Sequence, residues 1–328
     1  MKNQPLVSVV MATYNRAYII NKAINSVKQQ TYKNWELVIV DDRSTDDTKK
    51  LIESYAKKDN RIKYIVNNHN KGCGGARNCG ILHAKGKYVA FLDSDDEWTK
   101  NHLSESVEVL KKKTVDICFS YWYEQSNGRS IPRYTGVVEK LARLTNPIID
   151  GSSLYFINKN ICENMILNWS FFYHINTAVV RKKLIKTVGL MYEDLYGAED
   201  IEFLFRLLLR SDRFGIVRNF HYIWHEGKDN CVHSHERSID KFNSLKLLRI
   251  KVLKLMRKNI KDSDKIINKK RCCNIINRQI ALVFYDIGWR NKDVNRKRAL
   301  YYYVLSNIYA FDLTTAKAIL LLFKKFLS

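Results

Sequence analysis

The first hundred residues alternate short continuous apolar runs with stretches of helical spacing. Leu6-Val7-Ser8-Val9-Val10-Met11 predicts a buried strand, and Tyr18 to Gln30 a helix with Ile20, Ala23, Ile24 and Val27 on one face. Glu36-Leu37-Val38-Ile39-Val40 predicts a second strand, ending in Asp41-Asp42. Ser44 or Thr45 then caps a helix with Asp46 and Asp47 in its first turn and Leu51, Ile52 and Tyr55 on its apolar face. Ile62 to Val66 is a third strand, the turn Gly72-Cys73-Gly74-Gly75 opens a helix through Ala84, and Tyr88 to Leu92 is a fourth strand. Such alternation implies an α/β fold with a mostly parallel sheet and right-handed crossovers.

From about Thr99 to His235 the pattern is mixed. Val115 to Ser120, Ile175 to Val180, Phe214 to Val217 and Phe220 to Trp224 read as strands, and an amphipathic helix with Phe203, Leu204, Leu207 and Leu208 follows Glu199-Asp200. Beyond Lys241 the spacing is helical, through Leu245, Leu248, Val252 and Leu255 and then Ile280–Ile287, Ala299–Ala310 and Ala316–Leu327. Three regions result: 1–100, 101–235, and a basic amphipathic helical region over 236–328.

Charge sharpens this division. Residues 241–328 carry 21 Lys or Arg against 5 Asp or Glu, so +16 of the formal +23 lies there. An anionic partner is implied: nucleic acid, acidic lipid headgroups or a phosphorylated substrate. Seven scattered cysteines without a C-x-x-C pair predict a reduced, cytoplasmic chain rather than a disulfide framework or zinc site. The N-terminus shows no signal-peptide pattern, and no apolar run approaches the ~20 residues that span a bilayer.

The densest chemistry is Asp93-Ser94-Asp95-Asp96, directly after the fourth strand. Carboxylates this close repel one another, and Mg²⁺ or Mn²⁺ suits a few of them completed by phosphate oxygens and water. Alone, such a cluster is more often a helix N-cap or a solvated turn than a metal site. Parallel strands, however, all end on the same side. Ala12–Asn15, Asp41-Asp42, Asn67–Gly75 and Asp93–Asp96 therefore share one crevice. Its contents suit a nucleoside diphosphate: an aromatic ring for a base, a carboxylate for a base N–H, acids for a metal, and Arg77 near a helix N-terminus for added positive charge. Glu199-Asp200 alone reads as acids in a helix's first turn. Asp41 reads as structural, and His69, His83, His102 and His174 as solvated or core residues. The glycine cluster lacks G-x-G-x-x-G spacing and follows the third strand rather than the first, unlike a dinucleotide fingerprint.

Together, Val7–Arg16, Val38–Asp42 with Ser44-Thr45-Asp46, Gly75-Ala76-Arg77-Asn78, Phe91–Asp96 and Glu199-Asp200 resemble glycosyltransferase family 2, of bacterial surface-polysaccharide type. The resemblance is close over residues 5–100 and looser to about 235. It implies a GT-A fold, with a Rossmann-like sheet flanked by helices, and inverting, metal-dependent sugar transfer. It assigns Tyr14, with Thr13 beside it, to stacking on uracil, Asp42 to the uracil N3–H, and Arg77 to the donor pyrophosphate. Asp93 is matched to ribose and metal, Asp95 to the metal itself, and Asp200, with Glu199 beside it, to the catalytic base; Asp96 is left as a helix-start residue. Of the tail Tyr222–His233, in which Trp224 stands where the family has a basic residue, His225 and then His233 are expected at the metal.

Three functions compete. In the first, a cytoplasmic enzyme peripheral to the inner membrane face moves a hexose or N-acetylhexosamine from a UDP-sugar to a lipid-linked glycan. Its basic tail docks on anionic lipid, with Lys317, Lys324 and Lys325 around Ile319–Phe323 as an interfacial helix. A nucleic-acid-binding protein would use the same tail, yet it carries no recognised binding motif and leaves the acidic crevice unexplained. A non-catalytic nucleotide sensor would not need both DxD acids and the base.

Overall fold

The computed structural model describes residues 4–327 except 113–114, 127, 134, 158–160, 172, 212 and 226–237, with side chains described through Leu322. In chain order the elements are β1 (Val7–Thr13), α1 (Ile20–Lys28), β2 (Trp35–Asp41), α2 (Thr48–Lys58), β3 (Ile62–Val66), α3 (Cys73–His83), β4 (Tyr88–Phe91), β5 (Glu97–Trp98) and α4 (His102–Lys112). There follow β6 (Ile117–Ser126), β7 (Arg129–Arg133), α5 (Thr135–Thr145), β8 (Ile148–Asp150), β9 (Ser153–Phe156), α6 (Ile161–Leu167), β10 (Val179–Arg181), α7 (Lys182–Val188), α8 (Glu199–Ser211) and β11 (Phe214–His225). Four helices end the chain: α9 (Ile239–Asp262), α10 (Lys269–Asn291), α11 (Arg296–Tyr309) and α12 (Leu313–Leu327). The chain divides into two compact units, Met1–Cys231 and Val232–Ser328.

In the first unit the strands form one sheet of order β3-β2-β1-β4-β10-β6-β11-β9-β8, with β5 on β11 and β7 on β6. β1 runs parallel to β2 and β4, and β2 parallel to β3, so these four strands end on one edge. β10 then enters antiparallel between β4 and β6. The sheet is buried on both faces, which is why its central strands read as unbroken apolar runs. Val7, Val9, Met11, Leu37 and Ile39 pack with α1 through Ile20, Ala23, Ile24 and Val27. The alternate residues Val38 and Val40 pack with Ala76 and Cys79 of α3. At Gly80 a Cβ would run into Val10, so glycine there lets α3 lie close on β1.

Four expected elements take a different form. α2 starts at Thr48, so Asp47 rather than Ser44 or Thr45 stands at its N-cap, and Asp46-Asp47 precede its first turn. Ile175–Val180 is not one strand: Ile175–Thr177 is a 3-10 turn capped by His174, and β10 starts at Val179. The two aromatic strands after Phe214 are one, β11, with register shifts on β6 at Val217/Phe220 and Phe220/Tyr222. Asp96 does not start a helix; it precedes β5, and α4 begins at His102.

In the second unit, Ala299, Tyr303 and Leu322 form a buried cluster, and Asn243 and Asn291 are buried against each other through their amides. No helix of the described residues is long and apolar enough to cross a membrane.

Candidate active site

The site is assembled at the common edge of the parallel strands. Beyond β1, Asn15 takes a left-handed φ of 51°. Its amide N–H donates to Ser44 Oγ (2.9 Å), and its side-chain oxygen accepts from the Thr45 N–H (2.8 Å). This staples the ends of β1 and β2 together and leaves Tyr14 41% exposed at the rim. The Thr13 hydroxyl is buried without a hydrogen-bond partner among the described residues.

The paired acids at the end of β2, Asp41 its last residue and Asp42 just beyond, make separate sets of contacts. Asp41 accepts from Tyr64 Oη (2.8 Å) and from the Ser44 N–H (2.9 Å), a structural role as its sequence reading expects. Asp42 accepts from Asn67 Nδ2 (2.6 Å) and the Gly72 N–H (2.7 Å), and so shapes the loop between β3 and α3. Glu193 holds the same loop through His69 (2.8 Å) and the Asn70 N–H (3.2 Å), and α3 through Asn78 (2.9 Å).

The acidic turn after β4 is held by a buried network. Arg77 reaches from α3 with Nη2 on Asp93 Oδ1 (2.7 Å) and Nη1 on Glu199 Oε1 (2.8 Å). Asn176, fully buried, donates through Nδ2 to Asp93 Oδ2 (2.9 Å), Asp96 Oδ2 (3.3 Å) and Tyr222 Oη (3.1 Å). Asp96 also accepts from Tyr222 Oη (2.7 Å) and the His225 N–H (2.9 Å). Asp95 is opposed by the Arg16 guanidinium at 3.5 Å. His225 turns its ring nitrogen to Glu97 (2.8 Å), and His233 lies outside the described residues.

These environments separate the carboxyls. Burial pushes Asp93 upward, but the Arg77 charge and the Arg77 and Asn176 hydrogen bonds overcome it and hold Asp93 below the ordinary range. Burial and the Asp93 charge raise Asp95, with Arg16 opposing. Burial, then Asp95 and Asp93, push Asp96 well above the ordinary value. On α8, burial raises Glu199 and Asp200 against the pull of Arg77. His174 is carried down to about 4 by burial, although the Asp93 charge opposes this. Its ring lies against Tyr222, at 4.9 Å between centroids.

The expected residues thus form two groups on one edge: Thr13, Tyr14 and Asp42 near the β3–α3 loop, and Arg77, Asp93, Asp95, Glu199 and Asp200 around the acidic turn. Asn176, Tyr222, Arg16 and His174 join them without having been singled out for this place. Asn176, with Thr177 beside it, interrupts the apolar residues from Ile175 to Val180, the one local sign of its role. Among the described residues no three His, Cys, Asp or Glu side chains form a metal site by themselves. Asp95, raised by burial and by the Asp93 charge beside it, nonetheless fits a divalent cation that takes its remaining ligands from phosphate and water.

The profile of the family described as Glycosyl transferase family 2 matches residues 8–189. The chain is 40% identical over 126 residues to the Escherichia coli protein WfgD, named UDP-Glc:alpha-D-GlcNAc-diphosphoundecaprenol beta-1,3-glucosyltransferase, covering 38% of this chain and 49% of that one. It is 43% identical over 175 residues to the Campylobacter jejuni GalNAc(5)-diNAcBac-PP-undecaprenol beta-1,3-glucosyltransferase, covering 51% and 56%. The chain therefore spans about half the length of these relatives. Staphylococcus aureus TarS 1-349, solved in complex with UDP-GlcNAc, superposes with a TM-score of 0.66 over 97% of this chain and 91% of that one, at 20% identity. The Pyrobaculum calidifontis mannosyltransferase PcManGT, solved with GDP-Man and Mn2+, gives 0.56 over 97% and 79%, at 17% identity. The fold is the expected GT-A type, and with more than half of its length matched by the profile the chain belongs to glycosyl transferase family 2.

Proposed function

We propose that this protein transfers a hexose or N-acetylhexosamine from a UDP-sugar to a hydroxyl of a lipid-linked surface glycan, with inversion at the anomeric carbon. The observation that carries this reading is the Asp93–Arg77–Glu199 bridge, which ties the acidic turn after β4 to the acids that open α8. In the proposed reaction the Asp200 carboxylate accepts the proton of the acceptor hydroxyl. The hydroxyl oxygen bonds to the anomeric carbon, and the bonding pair leaves with UDP. Base and leaving group must lie on opposite faces of the sugar, which suits acids drawn from α8 and from the turn after β4. Tyr14 and Asp42 bind the base. Asp95, with Asp93 beside it, would hold Mn²⁺ or Mg²⁺, whose chemistry is to neutralise charge on the departing diphosphate. The relatives' names support a UDP-sugar and an undecaprenol-linked acceptor.

The basic helices α9–α12 dock on an anionic inner membrane surface, where such an acceptor resides. Support comes from their charge and from exposed Tyr301, Phe311, Leu313, Leu320 and Leu321. The nucleic-acid reading of these helices leaves the carboxylate network without a task.

The test is UDP release by the full chain with Mn²⁺ or Mg²⁺, a panel of UDP-sugars and an undecaprenyl-diphosphate-linked acceptor. One sugar should give acceptor-dependent release. Asp95→Asn and Asp200→Asn should each lower turnover by about 10²- to 10⁴-fold. Undiminished turnover in either variant removes the role given to that residue.

A further inference from the structure

The cation expected at the donor pyrophosphate is closed in. The Arg77 side chain is 7% exposed, and its two terminal nitrogens already bind Glu199 and Asp93. Positive charge at the open rim comes from elsewhere. Lys71 is exposed on the loop between β3 and α3, and its ammonium lies 4.2 Å from the centroid of the Tyr14 ring. The backbone on either side of it is pinned. The Asn70 N–H donates to Glu193 (3.2 Å) and the Gly72 N–H to Asp42 (2.7 Å). Gly72 turns with φ of +126°, where a Cβ would stand 2.8 Å from the Tyr196 ring. The loop is therefore fixed, while four rotatable carbons let the ammonium move.

Resting on the reading of this crevice as a nucleoside-diphosphate site, we propose that Lys71 is a donor-binding residue with two positions. Without nucleotide it covers the Tyr14 ring; when a base takes the ring, the ammonium passes to the phosphates. The physical reason is competition for one aromatic face. A cation over the ring and a stacked base both draw on the same π-surface. A bare nucleoside must displace Lys71 and gives it nothing in return. A nucleoside diphosphate supplies charged oxygens, which are stronger partners than the ring. Lys71 thereby favours phosphorylated ligands over nucleosides carrying the same base.

The experiment compares UDP and uridine binding, by calorimetry and NMR titration with Mg²⁺ present, in the chain of residues 1–328 and its Lys71→Met, Lys71→Arg and Tyr14→Ala variants. Lys71→Met should bind uridine roughly two- to fivefold more tightly, the release of one exposed cation–π contact. The same variant should bind UDP about tenfold more weakly, through loss of a charge-assisted contact. Lys71→Arg should stay within about twofold of the parent for UDP. If Lys71→Met moves both ligands in the same direction, or neither, while Tyr14→Ala weakens UDP, the role of Lys71 is overturned and the base-stacking reading stands. If Tyr14→Ala leaves UDP binding unchanged, the stacking reading itself falls and takes this inference with it.

Discussion

Asp93, Asp95 and Asp96 lie within four residues, and burial raises all three, yet they end in different states. Asp93 meets the Arg77 guanidinium at 2.7 Å and the Asn176 amide at 2.9 Å, whereas Asp95 meets Arg16 only at 3.5 Å, so of the three Asp93 is the one drawn below the ordinary range. Asp200 shows the same competition with the opposite outcome. Burial raises its carboxyl above the ordinary 3.8, and Arg77 offsets only part of the rise. As the proposed base, Asp200 must be deprotonated to accept a proton, so the acid limb of kcat/KM should lie above that ordinary value, with activity rising as pH climbs through it. Negative charge on neighbouring Glu199 disfavours a second negative charge on Asp200. Glu199→Gln should therefore move the acid limb to lower pH, even if it also lowers the maximum. A pH–rate profile of the two proteins checks this; a limb that stays in place would assign the proton acceptor to another group. Asp96 is the clearest case of a role invisible in the sequence. Its partners Tyr222 and His225 lie more than 120 residues away, and nothing in Asp93–Asp96 itself distinguishes a buried hub from a helix start.

Among the elements, β1 to β4 were legible because strands covered on both faces must be apolar along their whole length. α1 was legible from its spacing, to within two residues at either end, and α3 from the glycine turn that opens it. The divergent elements are those whose form depends on a neighbour. β11 is continuous because β6, β9 and β5 together pair along most of it, including the stretch around its bulges. The Ile175–Thr177 turn is capped by the His174 side chain, which accepts from the Asn176 N–H, and Asn176 Nδ2 reaches Asp93 from it. The β3–α3 loop offers a test at this scale. A Cβ at Gly75 would overlap the Asn70 carbonyl oxygen, a backbone atom that cannot swing aside. Gly75→Ala should cost about 1–3 kcal/mol in urea unfolding and weaken UDP binding, because Asn70 and Gly72 are held on the same loop. Stability and affinity equal to the parent would mean that the loop is not the rigid wall described above.

At the scale of the whole molecule, net charge divides the chain as the compact units do. Most of the +23 lies in α9–α12 and the segments that join them, whereas the candidate site is built around carboxylates in the first unit. Basic side chains near an anionic surface contribute about 1 kcal/mol each, an attraction confined to a Debye length of about 8 Å at physiological salt. The full chain should therefore float with vesicles containing anionic lipid at low salt and be released progressively at about 0.5 M salt. Neutral vesicles should retain it poorly. Replacing Phe311, Leu320 and Leu321 with Ser should weaken flotation even at low salt, since exposed apolar side chains supply the salt-resistant part. Flotation that ignores lipid charge would remove the docking role from these helices.

The sequence by itself determined the alternation of strands and helices, the parallel edge at which four strands deliver their polar ends, and the residue types gathered there. Those follow from local periodicity and from the rule that parallel strands end together. Only the tertiary structure decided which carboxylate is paired, which is raised, and which cation is spent. Arg77 is closed between Asp93 and Glu199 while Lys71 stays open over Tyr14, and Asn176 joins the acidic turn to β11. The reason is physical. A side chain's charge state depends on the burial and field summed over everything around it, and here the decisive neighbours lie as far as 129 residues away along the chain.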